Sequence, residues 1–186
     1  PIIEERMNTY QEVRPLAAVG DGKELIQWSE RDGWAHLYLY DGEGNLKNRI
    51  TRGPWHVDQI MKVDEAKRVV YFLANGKEKD ENPYYEHLYR VGLDGSGLQQ
   101  VTPGDYFHTV SMDDNAAFVV NNYSRVNTIP RTDLMDSNGR KLMTLEESDF
   151  SGLLAAGYQF PEPFKVKAAD GVTDLYGVMY KPFNFD

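Results

Sequence analysis

The 186-residue sequence contains no cysteine. This absence excludes a disulfide framework, a thiolate zinc site and a cysteine nucleophile. It does not fix the cell compartment, because many exported bacterial proteins also lack cysteine. Long apolar runs are missing as well. None approaches the roughly 20 residues that a helix needs to cross a bilayer, so we predict no membrane span.

Positive charge is scarce. The chain has 20 Lys and Arg against 29 Asp and Glu, which gives a formal net charge of −9. A protein that binds nucleic acid needs a basic face to meet the phosphates, so we predict no nucleic-acid partner. The same balance disfavours adhesion to anionic lipid.

Extended amphipathic helices are also lacking, because no long segment repeats its apolar residues every 3.6 positions. The best helix candidate covers residues 147–158, with Ser148 or Asp149 as its N-cap. A loop is the alternative for this segment.

Short segments rich in Val, Ile, Tyr and Phe dominate the sequence and predict β-strands. They occupy residues 24–29, 36–41, 57–63, 68–74, 87–93, 109–113 and 116–124. The stretches between them carry the Gly, Asp, Asn and Pro residues that tight turns require. This pattern predicts an all-β fold, for which a sandwich, a barrel and a propeller are the candidates.

A repeat decides among these architectures. The phrase HLYLYDGEGNLKNRIT at residues 36–51 returns 51 positions later as HLYRVGLDGSGLQQVT at residues 87–102. Trp55 and Tyr106 follow the two copies at the same distance. A weaker third copy covers residues 131–145. A period of about 40–50 residues, with four short strands in each unit, is typical of a propeller blade.

We therefore predict a partial β-propeller of about three four-stranded antiparallel blades over residues 16–146, followed by a short C-terminal β extension. Residues 1–15 are predicted to be a lead-in segment and residues 147–160 a connector. The charged insertion NGKEKDENPYY at residues 75–85 is predicted to be a solvent-exposed hairpin loop. Three blades do not close a ring of about four to eight, so we expect the chain to be a piece of a longer protein.

The sequence also resembles the propeller domain of the dipeptidyl peptidase IV family, which belongs to the prolyl oligopeptidase clan of serine peptidases. The resemblance rests on WSERDGWAHLYLYD, NRITRGPWHVDQI and ENPYYEHLYRVGLDG, in that order. Residues 161–186, PEPFKVKAADGVTDLYGVMYKPFNFD, resemble the first strands of the family's α/β-hydrolase domain. The resemblance covers essentially the whole chain. It implies a propeller of about eight blades that caps a hydrolase, of which this chain holds the last blades and a truncated hydrolase start.

The resemblance implies an enzyme that removes N-terminal dipeptides, after Pro or Ala, from peptides with a free N-terminus. It implies a Ser-Asp-His triad and no cofactor. The G-x-S-x-G turn that carries the nucleophile of an α/β-hydrolase does not occur in this sequence. Ser96, in DGSGL, comes closest, but it lacks the outer glycines and is interpreted as a turn residue. We therefore expect this chain by itself to be inactive.

One contact with substrate is implied by the resemblance. Family members carry an aromatic-Arg-Pro phrase before the blade that starts x-GDGK, and this phrase helps to line the substrate cleft. The matching phrase is EVRP, which makes Val13 and Arg14 candidate substrate-binding residues, with Val13 in place of the aromatic residue. The fork of arginine suits a substrate carbonyl or carboxylate. The alternative is that Arg14 is an ordinary exposed linker residue.

The family also binds the substrate's ammonium group with paired glutamates in a D-W-x-Y-E-E context, and no such context occurs here. The pairs Glu4-Glu5 and Glu146-Glu147 lack the Trp and the Tyr. They are predicted to be solvated charge pairs.

The histidines and aromatic residues have structural interpretations. His36 and His87 repeat with the scaffold, so packing or a hairpin hydrogen bond is favoured over metal ligation, and no metal site is predicted. His56 and His108 are predicted to be structural or exposed. A surface for stacking sugars or bases is one interpretation of Trp28, Trp34, Trp55, Tyr38, Tyr40, Tyr71 and Tyr89. Most of these seven side chains are predicted to fill the core instead.

Two functions remain open. The first is the propeller part of an exported serine dipeptidyl peptidase, periplasmic or on the surface of a bacterial cell, that gates and orients peptides. The second is a stand-alone propeller for binding or scaffolding, of a WD-like or TolB-like class. The hydrolase-like residues 161–186 favour the first. The bare faces of an open stack of blades predict self-association, and a homodimer is one expected form of it.

Overall fold

A computed structural model describes residues 2–182 and Phe185. It contains three four-stranded antiparallel sheets and one two-stranded hairpin. The first sheet comprises β1 (Ala17–Val19), β2 (Glu24–Ser29), β3 (His36–Asp41) and β4 (Leu46–Arg49). The second comprises β5 (His56–Asp64), β6 (Val69–Asn75), β7 (Glu86–Gly92) and β8 (Gln99–Gln100), and the third β9 (Phe107–Met112), β10 (Phe118–Ser124), β11 (Arg131–Asp136) and β12 (Lys141–Glu147). A helix, α1 (Ser151–Ala155), and the hairpin of β13 (Glu162–Lys167) and β14 (Asp174–Met179) follow.

Each sheet consists of four consecutive strands that pair in chain order, as in a propeller blade. The three sheets described do not close into a barrel. The predicted all-β fold and partial propeller are therefore confirmed. The observed strands begin and end within about two residues of the predicted ones. The repeated phrase forms the third and fourth strands of the first and second sheets.

The helix is shorter than the predicted segment 147–158. It has five residues, and Phe150 occupies its N-cap position without a side-chain hydrogen bond, so neither predicted cap is in place. Asp149 instead accepts a hydrogen bond of 2.8 Å from the main-chain N–H of Ser151. Gly157 follows at φ +88°, a left-handed conformation that ends helices and suits glycine. The described residues contain no helix that is long and apolar enough to cross a membrane.

The hydrophobic core lies between successive sheets. Ile26, Trp55 and Phe72 belong to a buried cluster between the first and second sheets. A second and smaller cluster joins the second and third sheets around Leu88 and Val119. The second sheet is thus covered on both faces, which explains why β6 is a continuous apolar run without alternation.

The two outer faces of the stack differ. Segment 2–16 covers part of the first sheet, where the Glu5 carboxylate accepts hydrogen bonds from Gln27 and Ser29. The outer face of the third sheet is bare, since Phe118 is 49 % exposed and Met143 is 54 % exposed. Self-association through such a face stays a prediction.

Turn glycines allow neighbouring sheets to approach closely at two corresponding positions. Gly95, at φ +84°, lies so near the preceding sheet that a Cβ atom would meet the carbonyl oxygens of Arg49 and Ile50 at 3.1 Å. Gly139, at φ +92°, lies against the carbonyl oxygen of Val101, which a Cβ would meet at 2.5 Å. Both positions require glycine for its left-handed backbone and for its lack of a side chain. These turns are therefore contact points between blades.

Candidate functional site

The loops that follow the second strand of each sheet lie at one end of the stack, because connections between antiparallel strands alternate between the two ends. These loops cover residues 30–35, 76–85 and 125–130. Arg14 shares this end, since its guanidinium carbon lies 4.1 Å from the ring centre of Trp28 near the end of β2. The β13–β14 hairpin lies beside the second and third loops. We call this surface the loop end.

An open groove of about 650 Å³ separates the hairpin from the second and third loops. Its walls combine charged residues with four aromatic side chains. Tyr84 of the loop meets Tyr176 of the hairpin edge to face, with ring centres 6.2 Å apart. Tyr85 and Phe164 line the groove as well. Its volume is in the range of sites that accept small molecules.

Two ionic groups along the groove are paired within the protein. Arg125 donates a hydrogen bond of 2.7 Å to Asp105. Lys167 and Lys165 contact the Asp174 carboxylate at 2.5 and 3.1 Å. The hydrogen bonds from Lys167 and then Lys165 hold the pKa of Asp174 below its usual range. Across the part of the chain that the structure describes, no group of three His, Asp or Glu side chains is arranged to hold a metal ion.

Loop 76–85 folds against the second sheet. Glu81 accepts a hydrogen bond of 2.8 Å from Nε2 of His87, and Glu78 accepts one of 2.9 Å from the hydroxyl of Tyr89. The predicted hairpin loop is present, but only Gly76, Lys79, Asp80 and Tyr84 are exposed and the rest of the segment is half-buried. The charged composition indicates a loop, but it does not reveal that two buried residues of β7 offer hydrogen bonds to its carboxylates.

Three groups hold the Arg14 side chain in place. Its Nε donates a hydrogen bond of 2.7 Å to Glu12, its Nη1 donates to the main-chain oxygen of Asp58, and its guanidinium stacks on Trp28. The Arg14 side chain is 26 % exposed, whereas the neighbouring Val13 is 84 % exposed. The protein thus presents Arg14 as an anchored group with one side open, not as a freely solvated linker residue. The role of Val13 and Arg14 in binding substrate stays a prediction.

A second carboxyl near this end has altered acidity. Glu86, the first residue of β7, is half-buried. Burial and then repulsion by the Asp58 carboxylate raise the pKa of Glu86 above its ordinary value. Asp58 thus interacts electrostatically with both the Arg14 cation and the Glu86 carboxyl group. Sequence patterns had not singled out Glu86, because its acidity depends on the fold around it.

His36 and His87 have structural roles, as predicted. Nδ1 of His36 lies 3.0 Å from the hydroxyl of Thr51, and Nε2 lies 2.9 Å from the main-chain oxygen of Gly53. Burial lowers the pKa of His36. His108 is also buried, while His56 is partly exposed.

The set Trp28, Trp34, Trp55, Tyr38, Tyr40, Tyr71 and Tyr89 lies mostly in the core, as predicted. The buried ones are Trp28, Trp55, Tyr38, Tyr40, Tyr71 and Tyr89. Trp34 is the exception, with 45 % of its surface exposed.

One member of the two glutamate pairs departs from the prediction. Glu4, Glu146 and Glu147 are solvated or partly solvated, and Glu147 pairs with Arg131 at the edge of the third sheet. Glu5, by contrast, has a side chain that is only 11 % exposed and lies 2.8 Å from Arg31, in the loop after β2. Its description as a solvated charge is wrong. The two neighbours differ because only Glu5 faces the sheet.

These sheets and their loop end define the chain as part of a β-propeller with an added two-stranded hairpin. The sequence profile of the family described as "Dipeptidyl peptidase IV (DPP IV) N-terminal region" matches residues 2–130. The chain belongs to this family.

Known relatives agree with this assignment. The crystal structure of Porphyromonas gingivalis dipeptidyl peptidase 4 matches with a TM-score of 0.80 and 26 % identity, over 100 % of this chain and 26 % of that chain. Dipeptidyl peptidase 4 of Trichophyton equinum is 27 % identical over 184 residues, which cover 92 % of this chain and 23 % of that protein. The probable dipeptidyl peptidase 4 of Aspergillus fumigatus is 35 % identical over 90 residues, 47 % of this chain and 11 % of the relative. The chain thus spans about a quarter of the length of the first of these curated relatives.

Proposed function

We propose that this chain is the substrate-gating part of the propeller of a serine-type dipeptidyl peptidase, which removes X-Pro or X-Ala dipeptides from the N-termini of peptides. One observation supports this most directly. The β13–β14 hairpin does not extend the series of sheets but lies across the loop end, against loop 76–85. A hairpin in this position fits the first strands of a hydrolase domain that rests on the propeller.

In this proposal the chemistry belongs to residues outside the present sequence. A serine hydroxyl attacks the scissile carbonyl, and a histidine takes up the serine proton. The propeller excludes large substrates and holds the free N-terminus, so that the carbonyl of the second residue stays at the nucleophile.

Arg14 fits this scheme as a donor to the bound peptide. Glu12, Asp58 and Trp28 already fix its guanidinium, so little side-chain freedom is lost when it meets a peptide carbonyl. The planar fork of arginine presents further N–H groups besides those used in these contacts.

The test compares the 186-residue chain with the whole protein that its gene encodes. Both are assayed on Ala-Pro and Gly-Pro nitroanilides. We expect the whole protein to release nitroaniline and to be inactivated by diisopropyl fluorophosphate, and we expect the 186-residue chain to be inactive. Cleavage by the purified short chain, or a whole protein that resists the serine reagent, contradicts the proposal.

A further inference from the structure

At several equivalent positions, the contact between the second and third sheets has polar residues and the contact between the first and second sheets has apolar ones. We call these contacts the second seam and the first seam. Strand pairing identifies the equivalent positions of the two seams. Val57 pairs with Ala74 in the second sheet, and His108 pairs with Tyr123 in the third, so His108 corresponds to Val57 and Tyr123 to Ala74. Two residues before Ala74 and Tyr123, on β6 and β10, Phe72 corresponds to a buried Asn121. Three apolar positions of the first seam are therefore occupied by His, Tyr and Asn in the second.

Two buried histidines meet in the second seam. His87 on β7 faces His108 on β9, with ring centres 4.9 Å apart, and each residue is 1 % exposed. Nδ1 of His108 lies 3.0 Å from Oδ1 of Asn121, and Nε2 lies 3.4 Å from the main-chain oxygen of Gly104. His108 therefore has only uncharged hydrogen-bond partners.

His87 has a different environment. Its Nε2 lies 2.8 Å from the Glu81 carboxylate and its Nδ1 lies 3.1 Å from the main-chain oxygen of Thr102. The side-chain nitrogen of Gln100 lies 3.0 Å from the same Nδ1. The only carboxylate that hydrogen bonds to either ring in the described residues thus lies on the His87 side.

Other titratable and charged groups also surround the pair. Beside His87 they are Glu78 and Tyr89, and beside His108 they are Tyr106, Tyr123, Arg125 and Asp133. Arg125 lies over the Tyr106 ring, and Asp133 is bound to Tyr123 and to Lys141. No carboxylate among the described residues is therefore free to compensate a proton on His108.

Burial lowers the pKa of His108 from 6.5 to about 4. The hydrogen bond with Asn121 opposes this shift, and the neighbouring His87 adds a smaller lowering effect. Above pH 6.5 this histidine is neutral in both the folded and the unfolded chain. As the pH falls from 6.5 to 4, the unfolded chain binds a proton that the folded chain does not, so folding becomes less favourable. A difference of about 2.5 pKa units between the unfolded and folded chain lowers the folding equilibrium constant by about 300-fold.

We propose that the second seam is an acid-sensitive joint, in which a proton on His108 loosens the third sheet from the second. The first seam holds, because its buried histidine, His36, packs on Trp55 and not on a second histidine. The second seam also has the smaller apolar cluster to oppose this separation. Because Glu81 ties His87 to loop 76–85, loosening of the joint reaches the wall of the groove at the loop end.

The first test compares urea unfolding of the 186-residue chain with that of two variants between pH 7.5 and 4. His108→Val restores the residue of the first seam, and His56→Gln removes a partly exposed histidine as a matched control. Between pH 7.5 and 4, we expect the folding equilibrium constant to fall by about the same factor, up to about 300-fold, in the native chain and in His56→Gln. In His108→Val the fall should be at least tenfold smaller. Equal losses in the native chain and His108→Val overturn the proposal.

A second measurement on the native chain does not depend on a folded variant. Nuclear magnetic resonance follows the ring of His108 with pH, and hydrogen exchange follows the amides of β9 and β10 against those of β2 and β3. We expect the ring to titrate near pH 4 and the third-sheet amides to lose protection first. A ring that titrates near 6.5, or protection lost equally from both sheets, contradicts an acid-sensitive joint.

Discussion

The hydroxyl of Thr102 accepts a hydrogen bond from the main-chain N–H of Leu88, with 2.9 Å between oxygen and nitrogen. Thr51 accepts the corresponding bond from Leu37 at 3.0 Å. In each case the side chain continues the pairing of the outer strands just where the backbone leaves the sheet. The threonine that ends both copies of the repeated phrase thus has a specific structural role.

Replacing Thr102 by valine leaves the buried N–H of Leu88 without a partner. We expect Thr102→Val to lower the free energy of unfolding by about 1–3 kcal/mol, measured by urea denaturation with tryptophan fluorescence. Thr102→Ser keeps the hydroxyl and loses only a methyl group, so it is expected to cost less. If the two variants lose the same stability, packing of the methyl group and not the hydrogen bond accounts for the threonine.

Gly95 and Gly97 provide a matched pair in one turn. Both have positive φ, so alanine at either position incurs the cost of a left-handed backbone, about 1–2 kcal/mol. Only at Gly95 would the new Cβ also meet the carbonyl oxygens of the preceding sheet, whereas at Gly97 nothing lies within 4 Å. We therefore expect Gly95→Ala to be less stable than Gly97→Ala by about 1 kcal/mol or more in the same urea experiment. Equal stability of the two would show that the sheets adjust freely at this contact.

The strands and the blade order could be predicted from the sequence because they depend on local signals. Residues 36–41 are rich in Leu and Tyr and end in a Gly-Asp turn, and this pattern returns at residues 87–93. Strand content and turn chemistry are short-range properties, so a repeat in the sequence becomes a repeat in the structure. The demotion of His36 from site residue to scaffold residue followed from the same repeat and is confirmed by its contacts with Thr51 and Gly53.

Contacts between distant residues could not be predicted in this way. Glu5 is buried because of Ser29, 24 positions away, and the anchoring of Arg14 depends on Asp58, 44 positions away. Neither partner is marked by a local pattern. A signal for the second seam does exist in the sequence, since His108 stands 51 positions after Val57, but its meaning depends on knowing that both positions are buried.

Glu24 links the first and second sheets electrostatically. Hydrogen bonds from Arg68 and then Lys47 lower the pKa of Glu24 from 4.5 to about 2. The carboxylate therefore stabilises the folded chain above pH 4.5, and this contribution disappears as the pH falls from 4.5 towards 2. It acts at lower pH than His108, whose effect is complete near pH 4.

We expect Glu24→Gln to lower the free energy of unfolding at neutral pH by up to about 1 kcal/mol, since the ion pairs lie near the surface. The variant should also lose less stability than the native chain between pH 4.5 and 2, and high salt should reduce the difference at neutral pH. Glu43→Gln, in an exposed turn, is the control. Parallel acid profiles for the native chain and Glu24→Gln would show that this cluster does not contribute.

Arg14 offers a test of the substrate-facing surface in the whole protein. If its guanidinium donates to a peptide carbonyl, Arg14→Ala should raise KM by about tenfold or more with a smaller change in kcat, since a hydrogen bond from a charged donor contributes about 1.5–3 kcal/mol. Arg14→Lys keeps the charge but loses the forked guanidinium, so its KM should lie between those of the native protein and Arg14→Ala. Arg52→Ala removes an exposed arginine near the next blade junction and should leave KM unchanged.

Urea unfolding of the same Arg14 variants separates binding from scaffolding. The contacts of Arg14 with Glu12, Asp58 and Trp28 fasten the lead-in segment to the first and second sheets, so some loss of stability is expected in any case. A loss of stability with KM unchanged would assign Arg14 to the scaffold alone. A rise in KM at a pH and temperature where each variant is fully folded would assign it to the substrate, because a purely structural residue does not act on KM in a protein that remains folded.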